Sequence, residues 1–198
     1  MKAPRSLLAL TLFAVCISAA ATETLSRVAF DQLLKESGLR IESRQAFTDI
    51  PIQQNPVLAY EHAMRHESGA LEVRFIVRPL GRIEIEYNDP HNAAPEPNHL
   101  FPLLFESLTQ RLAANNDTSS STLSEIEAKD KFNAQWAAVA AFDVDPEFSS
   151  EYKNAILLGM HKNDQADAYT LFLYNDPDTA KPLIGSALGI MSFDPAPR

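Results

Sequence analysis

Two periods of apolar residues alternate along the chain, and each predicts a different kind of element. Residues 27–37 place apolar side chains three and four positions apart from Phe30 onward, which is typical of an amphipathic helix. Over residues 58–77 the period changes to two, with apolar and polar side chains alternating on either side of Gly69. This pattern predicts a β-hairpin with one face in contact with solvent.

Residues 83–144 predict, in chain order, a strand, two helices and a second strand. The strand is predicted over residues 83–87, and an apolar stripe predicts a helix over residues 100–112. Residues 115–122, with the sequence NNDTSSST, are expected to form a polar loop before a short helix over residues 124–132. Residues 137–144 suit either helix or strand, and strand is favoured because the sequence DVDP ends the segment so soon.

The most apolar strands are predicted near the C-terminal end. Residues 152–160 and 166–174 carry apolar side chains on both faces, so we predict adjacent antiparallel strands in the centre of the sheet. The polar stretch HKNDQ between them, residues 161–165, is predicted to be an exposed turn. Residues 179–191 are predicted to form a terminal helix.

The order of these elements predicts an α+β fold. We expect an α/β/α sandwich in which a mainly antiparallel sheet of about six strands is covered by helices on both faces. The helix over residues 100–112 has the widest apolar stripe and is expected to cover one face. The helix around Phe30 and Leu34, or the terminal helix, is expected to cover the other face.

Residues 132–176 resemble the C-terminal half of the PsbP-like superfamily. The resemblance rests on Phe132 and Trp136 in the sequence FNAQW, and on a strand–turn–strand pair with the sequence HK at its tip. The preceding hairpin LEVRFIVRPLG and the helix after it fit the same layout, so the resemblance covers most of residues 45–190. It implies an α/β/α sandwich, and because members of that superfamily bind unrelated partners it implies almost nothing about function.

The beginning of the chain has the layout of a secretory signal peptide. Lys2 and Arg5 form a short positive region, and residues 7–17 are apolar apart from one threonine. The sequence SAAA then supplies the small residues that signal peptidase requires. Cleavage after Ala20 or Ala21 fits this pattern, and Ala21 is favoured.

Two alternatives to a cleaved signal peptide stay open. One is a lipoprotein anchored through Cys16, which is disfavoured because Val15 stands where a small residue is expected. The other is a retained anchor helix, which is disfavoured because the apolar stretch is shorter than the roughly 20 residues of a membrane span. The predicted domain organisation is a signal peptide over residues 1–21 and a single α+β domain over residues 22–198.

The charge and cysteine content of the chain argue against some classes of function. The chain has 17 Lys and Arg against 26 Asp and Glu, so its formal net charge is -9. Cleavage after Ala21 removes two basic residues and the single cysteine, which makes the net charge -11. An acidic chain argues against nucleic acid as a partner, and the loss of the cysteine excludes thiol catalysis. No later apolar stretch is long enough to span a membrane, so the mature protein is expected to be soluble, and the signal peptide predicts that it is periplasmic or secreted.

Histidines provide two candidate metal-ligating patterns. His62 and His66 have the spacing of a helical zinc pair, but on a strand that spacing separates them by about 13 Å, too far to share one metal. His91 and His99 flank a proline-rich loop that also carries Asp89 and Glu96. Imidazole and carboxylate groups suit zinc, copper or nickel, although a solvated connector is the favoured interpretation.

An acidic turn provides a third candidate. Asp143, Asp145 and Glu147 place oxygen ligands at alternate positions, as a calcium loop does. Phe148 and Asn154 depart from the EF-hand pattern at its glycine and at its bidentate glutamate. The favoured interpretation is an acidic surface turn.

Three other sequence features are weaker indications of function. The sequence GSALG over residues 185–189 places Ser186 one position away from the serine of a nucleophile elbow. Asn116 begins a glycosylation sequon, which matters only in a eukaryote. Core packing is the favoured interpretation of the aromatic residues in the second half of the chain, and if one of them faces a groove we expect it to be Trp136, near the acidic turn, as an anchor for a partner.

The sequence therefore assigns no catalytic, cofactor-binding or metal-binding residue, and no cofactor. The favoured hypothesis is an exported, non-catalytic binding or accessory protein for an unidentified protein or small molecule. One alternative is an exported hydrolase that combines His91, His99 or His161 with an acidic residue of the stretch 143–151. The other alternative is a metal-handling protein. Since His161 is predicted to be exposed, its replacement by alanine is expected to change stability by no more than about 0.5 kcal/mol.

Overall fold

The computed structural model describes residues 27–42, 45–83, 96–115 and 118–195. Its helices are α1 (residues 27–36), α2 (Phe101–Leu112), α3 (Glu125–Phe132) and α4 (Pro177–Ala187). Its strands are β1 (Leu39–Ile41), β2 (Phe47–Asp49), β3 (His62–His66), β4 (Glu72–Pro79), β5 (Ser119–Thr122), β6 (Trp136–Asp143), β7 (Asn154–Lys162), β8 (Ala166–Tyr174) and β9 (Met191–Phe193). Short 3-10 turns lie at Leu80–Arg82 and Pro97–His99.

Seven strands form one antiparallel sheet in the order β2-β3-β4-β8-β7-β6-β5, and β1 pairs with β9 in a small second sheet. The central pair is β7 and β8, with Asn154 opposite Tyr174 and Lys162 opposite Ala166. The predicted pairing of these two strands is confirmed, although β7 begins and ends two residues later than predicted. Gly69 adopts a left-handed conformation in the turn between β3 and β4, as the hairpin prediction requires.

Helices cover both faces of the large sheet, so the predicted α+β sandwich is confirmed. α1, α3 and α4 bury Phe30, Phe132 and Ile184 in the core on one face, together with the small sheet. α2 buries Phe101 and Phe105 in the core on the other face. Among the described helices, none is long and apolar enough to cross a lipid bilayer.

α2 packs closely on the central strand β7 at Gly159. A Cβ atom there would lie 2.6 Å from Cδ2 of Phe105 and 3.0 Å from Cζ of Phe101. We expect Gly159→Ala to lower the free energy of unfolding by about 1–3 kcal/mol, because the fully buried rings must shift. Gly185→Ala in α4 is the control, since a Cβ there meets nothing within 4 Å. Urea unfolding of both variants tests this, and an equal effect at the two glycines would contradict it.

Several predicted elements differ in the structure. Residues 119–122, predicted as part of a loop, form β5, an exposed edge strand that pairs with β6. The terminal helix ends at Ala187 instead of residue 191, and β9 follows it. The strand predicted over residues 83–87 lies outside the described residues except for Ile83, which is not in a strand.

The predicted solvent-facing side of the hairpin is wrong for β4. Glu72 and Arg74, the polar residues at the beginning of β4, are buried instead of exposed. Both side chains lie on the face of the sheet that carries α2. At this end of the sheet residues 53–60 and 145–152, and not α2, cover them. Two charged groups are therefore enclosed at one end of the sheet.

Candidate functional site

The register of the β3–β4 hairpin determines which charged side chains are enclosed together. Glu72 and Arg74 are two positions apart on β4, so their side chains share one face of the sheet. Arg65 of β3 lies opposite Glu72 in the ladder and on the same face. Only 2% of Glu72 and 6% of Arg74 is exposed to solvent. The hairpin thus brings two guanidinium groups to one buried carboxylate.

Glu72 accepts hydrogen bonds from three side chains. Its Oε2 accepts from Nη2 of Arg65 at 2.7 Å and from the hydroxyl of Tyr152 at 3.0 Å. Its Oε1 accepts from Nε of Arg74 at 2.7 Å. Burial opposes ionisation of Glu72, but the hydrogen bonds from the two arginines outweigh it and lower the pKa of the carboxyl.

Tyr152 stays a hydrogen-bond donor in this cluster. Burial and the adjacent Glu72 carboxylate raise the pKa of its hydroxyl, so the proton remains on the phenol. Glu72 is consequently a charged anchor that fixes the position of Arg74.

Aromatic rings hold the guanidinium group of Arg74 as well. Its Cζ lies 4.7 Å from the centroid of the Tyr60 ring and 5.4 Å from that of Phe148. Nε is occupied by Glu72, whereas Nη1 and Nη2 donate to no residue in the described part of the chain. Arg74 is therefore a rigidly held cation with two donor nitrogens available.

Arg74 lines a small polar cleft, here called the Arg74 cleft. Its volume is about 160 Å³, and apart from Phe148 its lining is polar or charged: Gln53, Gln54, Asn55, Arg74, Phe148, Ser149, Ser150 and Glu151. The lining residues include side chains with amide, hydroxyl and carboxylate groups. The cleft thus offers a bidentate cationic donor together with neutral and acidic hydrogen-bonding groups.

Side-chain hydrogen bonds hold together the two loops that enclose the cleft. Nδ2 of Asn55 donates to the carbonyl oxygen of Phe148 at 2.7 Å, and Oδ1 of Asn55 accepts from the amides of Val57 and Leu58. The hydroxyl of Tyr60 accepts from the amide of Gln53 at 2.8 Å. The cleft is preformed by contacts between residues about ninety positions apart, which local sequence patterns do not reveal.

The acidic turn contributes to the cleft through Phe148. Oδ1 of Asp145 accepts from the amide of Glu147 at 2.7 Å, and its carbonyl oxygen accepts from the amides of Phe148 and Ser149. Asp145 therefore shapes the turn that places Phe148 beside Arg74. Among the described residues, no group of three or more His, Cys, Asp and Glu side chains has an arrangement that suits a metal ion.

His161 lies at the other end of the sheet and is not in an exposed turn. β7 continues through Lys162, and only 3% of His161 is exposed, so that prediction is wrong. Nδ1 of His161 lies 2.7 Å from Oδ1 of Asp167, and Nε2 lies 2.9 Å from Oδ1 of Asn163. Arg78 donates to the other oxygen of Asp167 at 2.8 Å. Both ring nitrogens of His161 are thus engaged within the protein.

The structure reverses the expected effect of His161→Ala. The substitution removes a ring packed at 5.4 Å from Phe101 and one partner of the fully buried Asp167. We expect it to lower the free energy of unfolding by about 2–4 kcal/mol. The exposed His99 provides the control, with a change within about 0.5 kcal/mol for His99→Ala. Equal stability of the two variants in urea titrations would show that His161 is not buried.

Among the described residues of the hydrolase alternative, His161 and Asp143 are not brought together. His161 pairs with Trp136 at one end of β6, and Asp143 pairs with Asn154 at the other end, about 23 Å away at the rise of a strand. His91 lies outside the described residues, as does Asp89. Trp136 is also distant from the acidic turn, contrary to expectation, and packs on Phe101 with ring centroids 4.8 Å apart.

The remaining candidates have separate partners. His62 and His66 lie on one strand as predicted, with Nε2 of His62 3.1 Å from Oδ1 of Asp49 and Nδ1 of His66 2.8 Å from Oγ of Ser68. Ser186 lies on α4 and donates to the carbonyl oxygen of its own helix at Leu183. Asn116 lies outside the described residues.

Comparisons with known proteins concern the fold. No protein-family model matches the chain, and no curated protein matches its sequence at a significant level. Among solved structures, the chain is similar to the solution structure of cyanobacterial PsbP (CyanoP) from Synechocystis sp. PCC 6803. The two share 9% sequence identity and a TM-score of 0.42, over 79% of this chain and 87% of that chain. The PsbP-like resemblance stated from the sequence is found again here, and it is a likeness of fold alone.

Proposed function

We propose that this chain is an exported, non-catalytic binding protein that receives a carboxylate group in the Arg74 cleft. Export to the periplasm or the medium rests on the signal-peptide layout of residues 1–21. The observation that carries the binding proposal is the buried Arg74, which lines a polar cleft and is fixed by Glu72 through Nε and by two aromatic rings.

A carboxylate is the group that this donor arrangement fits. Nη1 and Nη2 present parallel N–H bonds at the spacing of two carboxylate oxygens, and such paired bonds are shorter and stronger than neutral ones. Glu72, Tyr60 and Phe148 already hold the guanidinium, so little side-chain entropy is lost on binding. Removing Arg74 from bulk water also strengthens its attraction for an anion.

Binding without catalysis is favoured over the hydrolase alternative by the position of His161. General acid–base catalysis needs a titratable group within hydrogen-bonding distance of the reacting atom. Both ring nitrogens of His161 are engaged by Asp167 and Asn163, at the opposite end of the sheet from the Arg74 cleft. No histidine is among the described residues that line the cleft.

Stabilisation by acetate tests the proposal. A ligand that binds only the folded state raises stability by about 1.4 kcal/mol at ten times its Kd. We expect the melting temperature to rise saturably with acetate at constant ionic strength, because screening then stays equal. Arg82→Gln, which removes an exposed arginine paired with Glu36, is expected to respond as the wild type does.

Two variants of the cleft are expected to lose the response. Arg74→Lys keeps the charge but replaces the planar donor pair, and Ser150→Trp fills the cleft from an exposed position without altering Arg74. An acetate response of equal size in the wild type and in Ser150→Trp would contradict the proposal. Turnover in an ester, peptide and phosphate screen that survives repurification and maps to one residue would contradict the non-catalytic assignment.

A further inference from the structure

We infer that the ligand of the Arg74 cleft is a small free amino acid, bound with its carboxylate on Arg74 and its ammonium group on Glu151. This inference rests on the proposed function and names the class of ligand. Among the described residues that line the cleft, Arg74 and Glu151 are the two that carry a charge, and their charges are opposite in sign. A ligand that carries both charges is complementary to both walls, whereas a simple anion meets one attractive and one repulsive group.

Glu151 is available for an ammonium group. Its side chain is 56% exposed, and its carboxylate contacts Nη2 of Arg65 at 3.4 Å. The same Nη2 lies much closer to Glu72, at 2.7 Å, so Glu151 is the weaker of the two partners of Arg65. An ammonium group beside Glu151 therefore need not break a short ion pair.

The charge of the whole chain favours a zwitterion over an anion. The formal net charge is -9, so the protein's field repels multiply charged anions and acidic peptides as they approach. A zwitterion has no net charge and is not opposed by that field. Neutral amides and hydroxyls complete the lining at Gln53, Gln54 and Ser150, so a short polar side chain such as that of serine is suited to the cleft.

Three probes that differ by one group test the assignment. L-serine carries both charges, 3-hydroxypropionate lacks the amine, and ethanolamine lacks the carboxylate. We expect calorimetric titration of the wild type to show binding of L-serine about tenfold tighter than that of 3-hydroxypropionate, the effect of one charged hydrogen bond. Ethanolamine is expected to give no saturable heat.

Glu151→Gln is the matched variant, since the residue is exposed and its loss leaves Glu72 and Arg74 in place. We expect L-serine and 3-hydroxypropionate to bind this variant within about twofold of each other, because the ammonium group loses its partner. Asp143→Asn, at an exposed acid that ends β6 and does not line the cleft, is expected to keep the tenfold preference.

The outcomes separate the two proposals. Equal binding of L-serine and 3-hydroxypropionate to the wild type, abolished by Ser150→Trp, would overturn the amino-acid assignment and leave the carboxylate site standing. A preference for L-serine that persists in Glu151→Gln would overturn the assignment of the ammonium group. Binding of neither carboxylate, or binding of ethanolamine as tight as that of L-serine, would overturn the proposed function itself.

Discussion

Replacing Leu158 by aspartate is expected to unfold the protein or to lower its free energy of unfolding by more than about 4 kcal/mol. Leu158 is fully buried in β7, one of the two central strands. It lies in the core beneath α1, α3 and α4, where an ionised carboxylate would have no partner. Chemical denaturation, with circular dichroism as the readout, measures the loss.

Leu103→Asp is the matched control for this experiment. Leu103 lies on the outer surface of α2 and is 67% exposed, so the same chemical change there is expected to alter stability by at most about 0.5 kcal/mol. A Leu158→Asp protein as stable as the Leu103→Asp protein would contradict the central position of β7.

Replacing Glu72 by glutamine is expected to lower the free energy of unfolding by about 3–5 kcal/mol near neutral pH. The substitution keeps the size of the side chain but leaves Arg74 buried without its charged partner. Glu125→Gln, at an exposed position in the first turn of α3, is the control and is expected to have an effect within about 0.5 kcal/mol.

The loss of stability caused by Glu72→Gln is expected to become smaller as the pH falls. Since the pKa of Glu72 is lowered in the folded protein, its stabilisation is fully present above its unfolded pKa, about 4.3, and is lost as the pH falls through the folded value. Glu72→Gln lacks this contribution at every pH. The difference in stability between wild type and variant should therefore shrink in acid, and a difference that grows as the pH falls would contradict the ionised Glu72.

The central strands could be predicted because their sequence records burial directly. β7 and β8 lack a polar face, and only a strand covered on two sides tolerates this. β5 could not be predicted in the same way, because its four residues are serine and threonine on an exposed edge and carry no apolar pattern. Backbone pairing with β6 alone defines that strand.

The alternation of polar and apolar residues that predicted the hairpin also prevented prediction of the candidate site. Charged residues at every second position normally mark a solvent-facing side, and Glu72 and Arg74 fit that pattern. The signal that distinguishes them is their opposite charge at a spacing of two, with Arg65 in reach across the hairpin. Burial of this cluster depends on Phe148 and Tyr60, which approach Arg74 only in the folded chain.

The exposed turn predicted at His161 was wrong for a similar reason. Its sequence context, HKNDQ, is typical of a turn, but β7 and β8 extend to Lys162 and Ala166 before the chain reverses. The fully buried Asp167, opposite His161 in the ladder, provides a hydrogen-bonding partner that makes burial of the imidazole favourable. Register between strands, which the sequence does not specify locally, decides the outcome.

The guanidinium resonances of Arg74 test the central claim most directly. In nitrogen-15-edited spectra of the purified protein titrated with acetate at constant ionic strength, we expect the Nε and Nη signals of Arg74 to shift and reach saturation. The signals of the exposed Arg82 are expected to stay in place. Arg74 signals that do not move, while acetate binding saturates elsewhere, would contradict a carboxylate site in the Arg74 cleft.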